Sequence, residues 1–371
     1  MAFLSENADR SFISNVTGLT FPVVTKNVNE LIATGFLEAV SQSSTRKGSG
    51  RISSKIRVNP SYGWALGIEL GPYAISLSIL DAAGKSLRDY ILTENTPLEY
   101  EELFSLLSDA ITKEIQREGR KPLGIGISTP GGINGHKGVL YRFDRPQWNG
   151  INIEEDLEKR FSVPVLLTNN VAAMALYYNL CFIKEPGHYS FFFALKGIAS
   201  VEMDHEANNL YSTVSRSGQV GHMIMDIDGE VCPTCGNRGC LESIGSEKAI
   251  LEKIRQKTNK ATLSMEEVLE CRRKDSSYMD DVFSRALKYL AVSISNIQNY
   301  SPVNKMFIMT RLITNQEELD LMEREIRKNL RATKDIDVEF SLIPYNRLFG
   351  SRSAAFCLLY DRYVGLDKQL L

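Results

Sequence analysis

Three cysteines and one histidine lie close together in the segment GHMIMDIDGEVCPTCGNRGCLES, residues 221–243. These candidate metal ligands are His222, Cys232, Cys235 and Cys240. Thiolate and imidazole groups of this number form the closed tetrahedral shell that Zn²⁺ prefers at structural sites. Gly236 and Gly239 let the backbone fold tightly between the last two cysteines. The pattern therefore predicts a structural zinc site, against the alternative of three buried thiols that never bind a metal.

The other cysteines, Cys181, Cys271 and Cys357, are isolated in the sequence and are interpreted as core residues. Hydrophobic residues make up 43% of the 371 residues and charged residues 24%, which is typical of a globular protein. The first residues lack the pattern of a signal peptide, and no apolar run reaches the ~18 residues that a membrane span needs. We therefore expect a cytoplasmic protein without a membrane partner, in reducing surroundings that disfavour disulfides.

Basic residues are concentrated near the N-terminus of a chain whose net charge is −2. Residues 41–60 hold five basic side chains and no acidic one. Such a run is either a solvated loop or a surface that binds the phosphates of nucleic acid. The apolar pattern on either side of the run favours nucleic acid, as the next two segments indicate.

The residues before the basic run have the pattern of a helix-turn-helix. SFISNVTG, residues 11–18, predicts a short helix that ends at its glycine. A second helix is predicted from Thr20 as N-cap to Gly35, with Pro22 in the first turn. Its apolar residues recur at helical spacing and are Phe21, Val24, Val28, Leu31 and Ile32.

Two segments, residues 36–40 and 52–58, flank the polar tip of the basic run like the strands of a β-wing. With the two helices they predict a winged helix-turn-helix over residues 1–59 that binds a double-stranded DNA operator. The alternative is a plain helical hairpin in an α/β protein. The side chains predicted to reach base edges are Val23, Thr25, Lys26 and Asn29. Those predicted to contact phosphates or a minor groove are Arg46, Lys47 and Arg51 at the wing tip.

From residue 61 onwards, strands alternate with helices, which is typical of α/β domains. Strands are predicted at residues 64–70, 74–80, 122–129, 164–170, 189–195 and 305–309. Helices are predicted at residues 101–117, 153–161, 246–257 and 279–300. We expect a first α/β lobe over residues 60–169, completed by residues 348–371. A second α/β lobe over residues 170–347 would hold the zinc ligands.

Several segments resemble the ROK family, which comprises repressors, open reading frames and sugar kinases. They are the zinc segment, STPGGINGHKGV at 128–139, PQWNGINIEEDLEKRFSVPV at 146–165 and, in the family's repressors, GLTFPVVTKNVNELIATGFLEAV at 18–40. The resemblance covers nearly the whole chain. It implies a winged helix-turn-helix followed by an actin-like, ribonuclease H-like fold of two α/β lobes, with a sugar pocket in the cleft between them.

The zinc segment departs from the family in one respect. The family usually has one residue between the first two cysteines, whereas here Pro233 and Thr234 separate them. The resemblance also implies that the zinc orders His222, whose other face lines the sugar pocket.

The resemblance further implies which residues contact a sugar or sugar-derived effector. Asn169, His222 and Glu242 match the family, whereas Asn170 replaces an Asp and Gln219 replaces a Glu. Both replacements remove negative charge and keep hydrogen-bonding capacity. Two explanations are equally consistent with these replacements. One is an anionic effector, such as a sugar phosphate or a uronate, and the other is random substitution in a pocket that no longer binds sugar.

Four departures from the family's kinases predict that the chain is not an enzyme and binds no ATP. The kinases' general base, an Asp, is replaced by Asn170, whose amide cannot accept the proton of a sugar hydroxyl. The phosphate hairpin reads Glu69-Leu70-Gly71-Pro72-Tyr73 and has lost a glycine and a threonine. Two further glycine-rich segments have become LKGIAS at 195–200 and MTRLIT at 309–314. No catalytic residue is therefore predicted.

The N-terminal segment also departs from the family. The family's repressors have a helix before the predicted pair, and residues 1–6 are too few to form it. The explanations left open are a truncated chain, packing of residues 361–371 in its place, and weakened DNA binding.

Together, these patterns predict a transcriptional regulator, a repressor of carbohydrate genes, that binds DNA as a homodimer or a dimer of dimers. A ROK-type sugar kinase or another carbohydrate enzyme is the main alternative. A ligand-binding protein with a vestigial DNA module is a third interpretation.

Overall fold

The structure, a computed structural model, describes residues 8–40, 54–72, 74–134, 138–141, 146–183, 185–205, 212–330 and 338–365. Its N-terminal unit comprises α1 (Arg10–Thr17), α2 (Phe21–Ala33), β1 (Leu37–Val40) and β2 (Lys55–Val58). Asp9 begins α1, because its carboxylate accepts the backbone N–H of Phe12 at 2.7 Å, and Gly18 ends the helix with a φ of 68°. Strands β1 and β2 are antiparallel, as the wing prediction requires. The predicted wing-tip contacts lie outside the described residues: Arg46, Lys47 and Arg51.

A small apolar core holds the N-terminal unit together and joins it to the next domain. Its buried residues are Val24, Val28, Leu37, Ile56, Val58 and Ala82. The predicted apolar stripe of α2 is only partly buried, because Phe21 and Leu31 are 51% and 40% exposed. Helix α1 has no buried side chain. The unit therefore depends on one face of α2 and on the two wing strands.

The first lobe is a mixed sheet with helices packed on it. Its elements are β3 (Trp64–Leu70), β4 (Ile75–Asp81), β5 (Ser86–Thr93), α3 (Tyr100–Glu118), β6 (Gly124–Thr129), β7 (Gly132–Asn134), β8 (Val139–Tyr141), α4 (Ile153–Phe161) and β9 (Val165–Asn169). The five-stranded sheet has the order β5-β4-β3-β6-β9. Strands β3, β6 and β9 run parallel, whereas β3, β4 and β5 pair antiparallel. Strands β7 and β8 form a separate hairpin.

The second lobe repeats this strand arrangement. Its elements are α5 (Asn170–Tyr178), β10 (Gly187–Ala194), β11 (Ile198–His205), β12 (Ser212–Gly218), α6 (Glu242–Gly245), α7 (Glu247–Thr258), α8 (Met265–Lys274), α9 (Asp280–Tyr300), β13 (Lys305–Thr310), α10 (Gln316–Asn329) and β14 (Glu339–Leu342). The sheet order is β12-β11-β10-β13-β14. As in the first lobe, three strands pair antiparallel and the other two extend the sheet in parallel.

The chain returns to the first lobe through α11 (Phe349–Tyr363). This helix packs on β3 and β6 and against α5. Gly67 and Gly126 allow the close approach, because a Cβ at either position would lie 1.9 Å from a backbone carbonyl oxygen of the helix. Most of α11 is buried, including its serines and alanines. The first lobe is therefore completed by the C-terminal helix.

The predicted fold class is confirmed: a winged helix-turn-helix precedes an actin-like pair of α/β lobes. Each strand and helix predicted from the sequence is present, with ends shifted by at most a few residues. The elements that the sequence pattern missed are β5, β7, β8, β11, β12, β14, α5, α6, α8, α10 and α11. The domain boundaries at residues 59, 169 and 347 stay a prediction. Among the described helices, none is long and apolar enough to cross a membrane.

Candidate functional site

A cleft of about 600 Å³ lies between the two lobes. In the first lobe, the cleft is formed where β3 and β9 end. In the second lobe, it is formed by the turn between β10 and β11 and by residues 221–243, here called the cysteine segment. The five residues predicted to contact an effector all line it: Asn169, Asn170, Gln219, His222 and Glu242. The structure thus brings together side chains that are up to 73 positions apart in the sequence.

The side chain of Asn169 is held by hydrogen bonds to backbone groups of two segments, one at Gly131 and one at the start of α5. Its amide nitrogen donates to the carbonyl oxygen of Gly131 at 3.0 Å. Its amide oxygen accepts the N–H groups of Val171 and Ala172 at 3.1 and 3.2 Å and so caps α5. These contacts use much of the amide's hydrogen-bonding capacity and hold the start of α5 at the cleft.

Asn170, the first residue of α5, lies beside Glu69. Burial raises the pKa of Glu69, and hydrogen bonds from Asn170 and Ser76 partly offset this effect. The backbone of Gly350, in the first turn of α11, also lies against the carboxyl group, because a Cβ there would be 2.2 Å from Cδ of Glu69. The amide of Asn170 is thus paired with a half-buried carboxyl group of the protein itself.

The far end of the cleft is lined by charged residues that the sequence did not single out as a group. They are Lys196, Glu247, Lys248 and Arg347, with Tyr345 beside them. Burial lowers the pKa of Lys196, and the Glu247 carboxylate partly offsets the shift. Arg347 donates to both carboxylate oxygens of Glu94, at 2.8 and 2.7 Å. Three basic side chains and one acidic side chain therefore line this part of the cleft.

Arg311 directly follows β13 and is held by two carboxylates and an aromatic ring. Its guanidinium donates to both carboxylate oxygens of Glu247, at 2.8 and 2.5 Å, and to Glu266 at 2.8 Å. It also stacks over the ring of Tyr345, with 4.9 Å between Cζ and the ring centroid. A large, paired side chain therefore occupies the end of β13.

The cysteine segment brings the four predicted metal ligands together. One donor atom from each of His222, Cys232, Cys235 and Cys240 lies within 4.8 Å of the others. Cys232 Sγ is 3.9 Å from His222 Nδ1, and Cys235 Sγ is 3.6 Å from Cys240 Sγ. Tetrahedral zinc with bonds of about 2.3 Å would separate two sulfurs by about 3.8 Å. The cluster therefore has the donor set and the spacing of a site that could hold a metal ion.

Backbone contacts shape this segment around the cluster. The N–H of Cys232 donates to the carbonyl oxygen of Asn237 at 2.7 Å, which closes the loop between the cysteines. Gly236 and Gly239 have φ values of 80° and 69°. A Cβ at Gly239 would lie 1.5 Å from the carbonyl oxygen of Asp226, so only glycine fits there. The tight turn that the glycines predict is thus present.

Thr234 connects the cysteine segment to the cleft. Its hydroxyl donates to Oε1 of Glu242 at 2.8 Å, and the residue lines the cleft. The sequence identified Thr234 only as part of an unusual spacing between Cys232 and Cys235. That departure from the family was the available signal, but the contact with Glu242 became visible only in the structure.

The predicted DNA-contact residues of α2 differ in their accessibility. Val23 is 43% exposed and Lys26 is exposed, so both are open to a groove. The amide oxygen of Asn29 accepts a hydrogen bond from Nη2 of Arg10 at 2.8 Å. Thr25 is half-buried, and its hydroxyl is shielded from solvent without a partner among the described residues. Lys26 is therefore the best placed of the polar residues on this face.

An aromatic contact joins the N-terminal unit to the end of α11. The ring of Phe36, which follows α2, packs edge-on against Tyr363 and Tyr62, with centroids 4.9 and 5.2 Å apart. The hydroxyl of Tyr363 donates to the carbonyl oxygen of Ala82 at 3.0 Å. Helix α11 therefore begins at the cleft and ends against the winged helix.

Residues 65–346 match the ROK family. The xylose repressor of Bacillus spizizenii is 30% identical over 305 residues, which span 78% of this chain and 74% of the repressor. The xylose repressor of Bacillus subtilis is 27% identical over 351 residues, which span 90% of this chain and 86% of that protein. These similarities extend over most of both lobes.

Solved structures of similar fold include a regulator and a kinase. A ROK family transcriptional regulator, a homologue of the Escherichia coli MLC protein, matches with a TM-score of 0.78 at 19% identity, over 95% of this chain and 92% of its own. A ROK family glucokinase from Streptomyces griseus, in complex with glucose and AMPPNP, matches with a TM-score of 0.64 at 18% identity, over 80% of this chain and 99% of its own. At these identities the two structures establish the fold alone.

Proposed function

The chain belongs to the ROK family, and from that membership we propose that it is a DNA-binding transcriptional regulator that represses carbohydrate genes. A sugar or sugar derivative in the interlobe cleft is its effector. The observation that supports this most is the joining of a winged helix-turn-helix to the cleft-forming lobes through α11. In this arrangement, the cleft and the N-terminal unit lie at opposite ends of one helix.

The effector is proposed to bind among the five cleft residues predicted from the sequence. Amide, imidazole and carboxylate groups offer both donors and acceptors, as the hydroxyls of a monosaccharide require. The similar repressors are named for xylose, so D-xylose is the first sugar to test. Asn169 ends β9 of the first lobe, whereas Gln219 and Glu242 belong to the second, so a sugar bound among them would contact both lobes.

Zinc is the metal that best suits the cysteine cluster. His222, Cys232, Cys235 and Cys240 would hold it, and their spacing agrees with tetrahedral geometry. The metal would supply structure, fixing the loop beside the cleft, and no step of a reaction. Its ligands leave no position open for a substrate.

The alternative function, sugar phosphorylation, is disfavoured by two contacts. Asn170 replaces the general base and is engaged with Glu69. Arg311, held by Glu247 and Glu266, stands where the family's kinases have glycines next to the nucleotide. We therefore expect no sugar-dependent release of ADP from ATP, and a coupled assay with D-xylose and D-glucose checks this. Turnover above background would restore the kinase alternative.

The regulator is further proposed to act in the cytoplasm as a homodimer or a dimer of dimers. A helix-turn-helix usually binds two half-sites about 34–36 Å apart, which requires two copies. The proposed domains are residues 1–59, residues 60–169 with 348–371, and residues 170–347. Light scattering of the purified protein tests the oligomeric state.

Fluorescence anisotropy with DNA from the region upstream of its own gene tests the regulator proposal. Binding at low salt is expected, and D-xylose, D-glucose, N-acetylglucosamine or one of their phosphates should weaken it. Absence of any DNA affinity would contradict the proposal. Binding that no sugar of this panel alters would contradict the effector part alone. The phosphates in the panel also test an anionic effector.

Elemental analysis tests the metal proposal. Purified protein should contain about one zinc per chain, because one four-ligand set is present. Cys235→Ser should lose the metal and lower the melting temperature. Cys271→Ser should do neither, because Cys271 lies outside the cluster and is exposed, so its interpretation as a core residue was wrong. Metal-free protein with an unchanged melting temperature would rule out a structural zinc.

A further inference from the structure

Thr234 and Glu242 form a hydrogen bond inside the cleft. The Thr234 hydroxyl donates to Oε1 of Glu242 at 2.8 Å, and both side chains are half-buried. Bonds of this kind, with an ionised acceptor, are stronger than bonds between neutral groups. The contact therefore restricts the rotation of the Glu242 side chain.

This contact leaves the second oxygen of Glu242 on the cleft side. Oε2 lies beside Gly197 and Gly221, since a Cβ at these positions would be 3.4 and 3.1 Å from it. Gly197 lines the cleft, and Oε2 is, apart from the flanking residues, the one described atom within 4 Å of a Cβ placed there, whereas at buried Gly221 the carbonyl oxygen of Ile198 would lie nearer, at 2.8 Å. One carboxylate oxygen is thus held by the protein while the other faces the space where a ligand would lie.

The position of Thr234 is itself set by the cysteine segment. It lies between Cys232 and Cys235, two of the clustered thiols, and follows Pro233, whose ring fixes one backbone angle. Because both flanking cysteines belong to the cluster, the backbone at Thr234 has little freedom when a metal is bound. The extra residue between these cysteines thus places a hydroxyl against Glu242.

We propose that Thr234 is a specificity-determining residue of the cleft, which positions Glu242 so that Oε2 accepts a hydrogen bond from a hydroxyl of the bound sugar. The inference rests on the proposed function, because it takes the cleft to bind a sugar. It adds a residue that couples the cysteine segment to ligand affinity. A deoxy sugar that lacks the hydroxyl donating to Oε2 would have no added affinity from this arrangement.

Isothermal titration calorimetry with D-xylose on zinc-replete full-length protein tests the proposal. Thr234→Val keeps the shape and removes the hydroxyl, and it should weaken binding about 10-fold. Thr234→Ser restores a hydroxyl and should bind within about 3-fold of the unmodified protein. Thr262→Val makes the same chemical change at an exposed site outside the cleft and serves as the control. Zinc content is measured for each variant.

A double-substitution cycle separates positioning from a general structural effect. If Thr234 acts through Glu242, Thr234→Val should change the D-xylose affinity little once Glu242→Gln is present. Equal losses in both backgrounds would overturn the proposal, as would a Thr234→Val protein that binds D-xylose normally. A loss of zinc in Thr234→Val that accounts for the weaker binding would overturn it as well.

If D-xylose does not bind the unmodified protein, a crystal structure of Thr234→Val tests whether Thr234 positions Glu242. In that case the proposal that D-xylose is the effector fails. The orientation of the Glu242 carboxylate still shows whether the Thr234 hydroxyl holds it. A rotated carboxylate, with Oε2 turned away from Gly197 and Gly221, would support positioning by Thr234. An unchanged side chain would refute it.

Discussion

The hydrogen bond between Asn170 and Glu69 gives a physical reason for an amide at position 170. From the sequence, the amide at position 170 fits an anionic effector as well as drift. In the structure it hydrogen-bonds the half-buried Glu69 carboxyl, whose pKa is raised by desolvation. An aspartate there would place two acids side by side. The amide is therefore matched to a group of the protein, and of the two replacements Gln219 is the one that this contact does not explain.

Asn170→Asp tests this pairing. Two facing carboxyls raise each other's pKa in the folded state, so the native protein retains a proton that the unfolded chain releases. Stability is then present at low pH and is lost as the pH rises, by about 1.4 kcal/mol for each unit by which the folded-state pKa is raised. Thermal unfolding from pH 5 to pH 8 measures the effect.

The double variant Glu69→Gln with Asn170→Asp serves as the matched control for that experiment. It should recover most of the lost stability, because an amide again faces a carboxyl group. If Asn170→Asp unfolds at the same temperature as the unmodified protein at every pH, the two side chains do not interact as described.

The sequence predicted elements whose apolar residues follow one period, and it missed the others for physical reasons. Strand β5 lies at the sheet edge with half-exposed residues, so its pattern carries little hydrophobic signal. Helix α11 is buried on nearly all sides, so its serines, alanines and aromatic residues show no amphipathic period. The cysteine cluster was predictable because its ligands are close in sequence. Thr234 and Arg311 were not, since their partners depend on tertiary packing.

The recognition helix and the wing are expected to contribute differently to DNA binding. Lys26 is exposed on α2, where a base contact would add ~1–3 kcal/mol of discrimination. Lys47 belongs to the basic run at residues 41–60, where a contact with a DNA phosphate would release counterions. Lys26→Ala should therefore narrow the gap between operator and random DNA. Lys47→Ala should weaken both and flatten the log–log salt dependence by about one unit.

Anisotropy titrations at several salt concentrations measure both effects. Arg324→Ala, on α10 of the second lobe, is a control that removes a positive charge far from the N-terminal unit in sequence. Identical losses from Lys26→Ala and Lys47→Ala would contradict the division of roles between helix and wing.

At the scale of the whole molecule, two lobes with the same strand arrangement enclose the cleft, and α11 joins that cleft to the winged helix. The resemblance to the ROK family implied the lobes and the cleft from the sequence. It did not reveal the Phe36–Tyr363 contact, because these residues are 327 positions apart and neither belongs to a recognisable motif. The contact places the far end of α11 against the DNA-binding unit.

Tyr363→Ala should weaken the response of DNA binding to sugar. Without the ring, movement at the start of α11 would no longer reach Phe36, so D-xylose should reduce operator affinity less than in the unmodified protein. Tyr300→Ala, a tyrosine that is 78% exposed, should leave the response intact. Operator titrations with and without D-xylose measure the ratio. A normal ratio in Tyr363→Ala would show that α11 does not transmit the change by this contact.

The α11 connection also has a thermodynamic consequence for the sugar. Coupling between two sites is reciprocal, so whatever factor D-xylose removes from operator affinity, the operator must remove from D-xylose affinity. For the typical coupling of about 1–3 kcal/mol, this factor is roughly 5 to 150. Protein bound to its operator would then need a correspondingly higher sugar concentration for half-saturation than free protein. The concentration at which the genes switch on would depend on how much of the repressor is held on DNA.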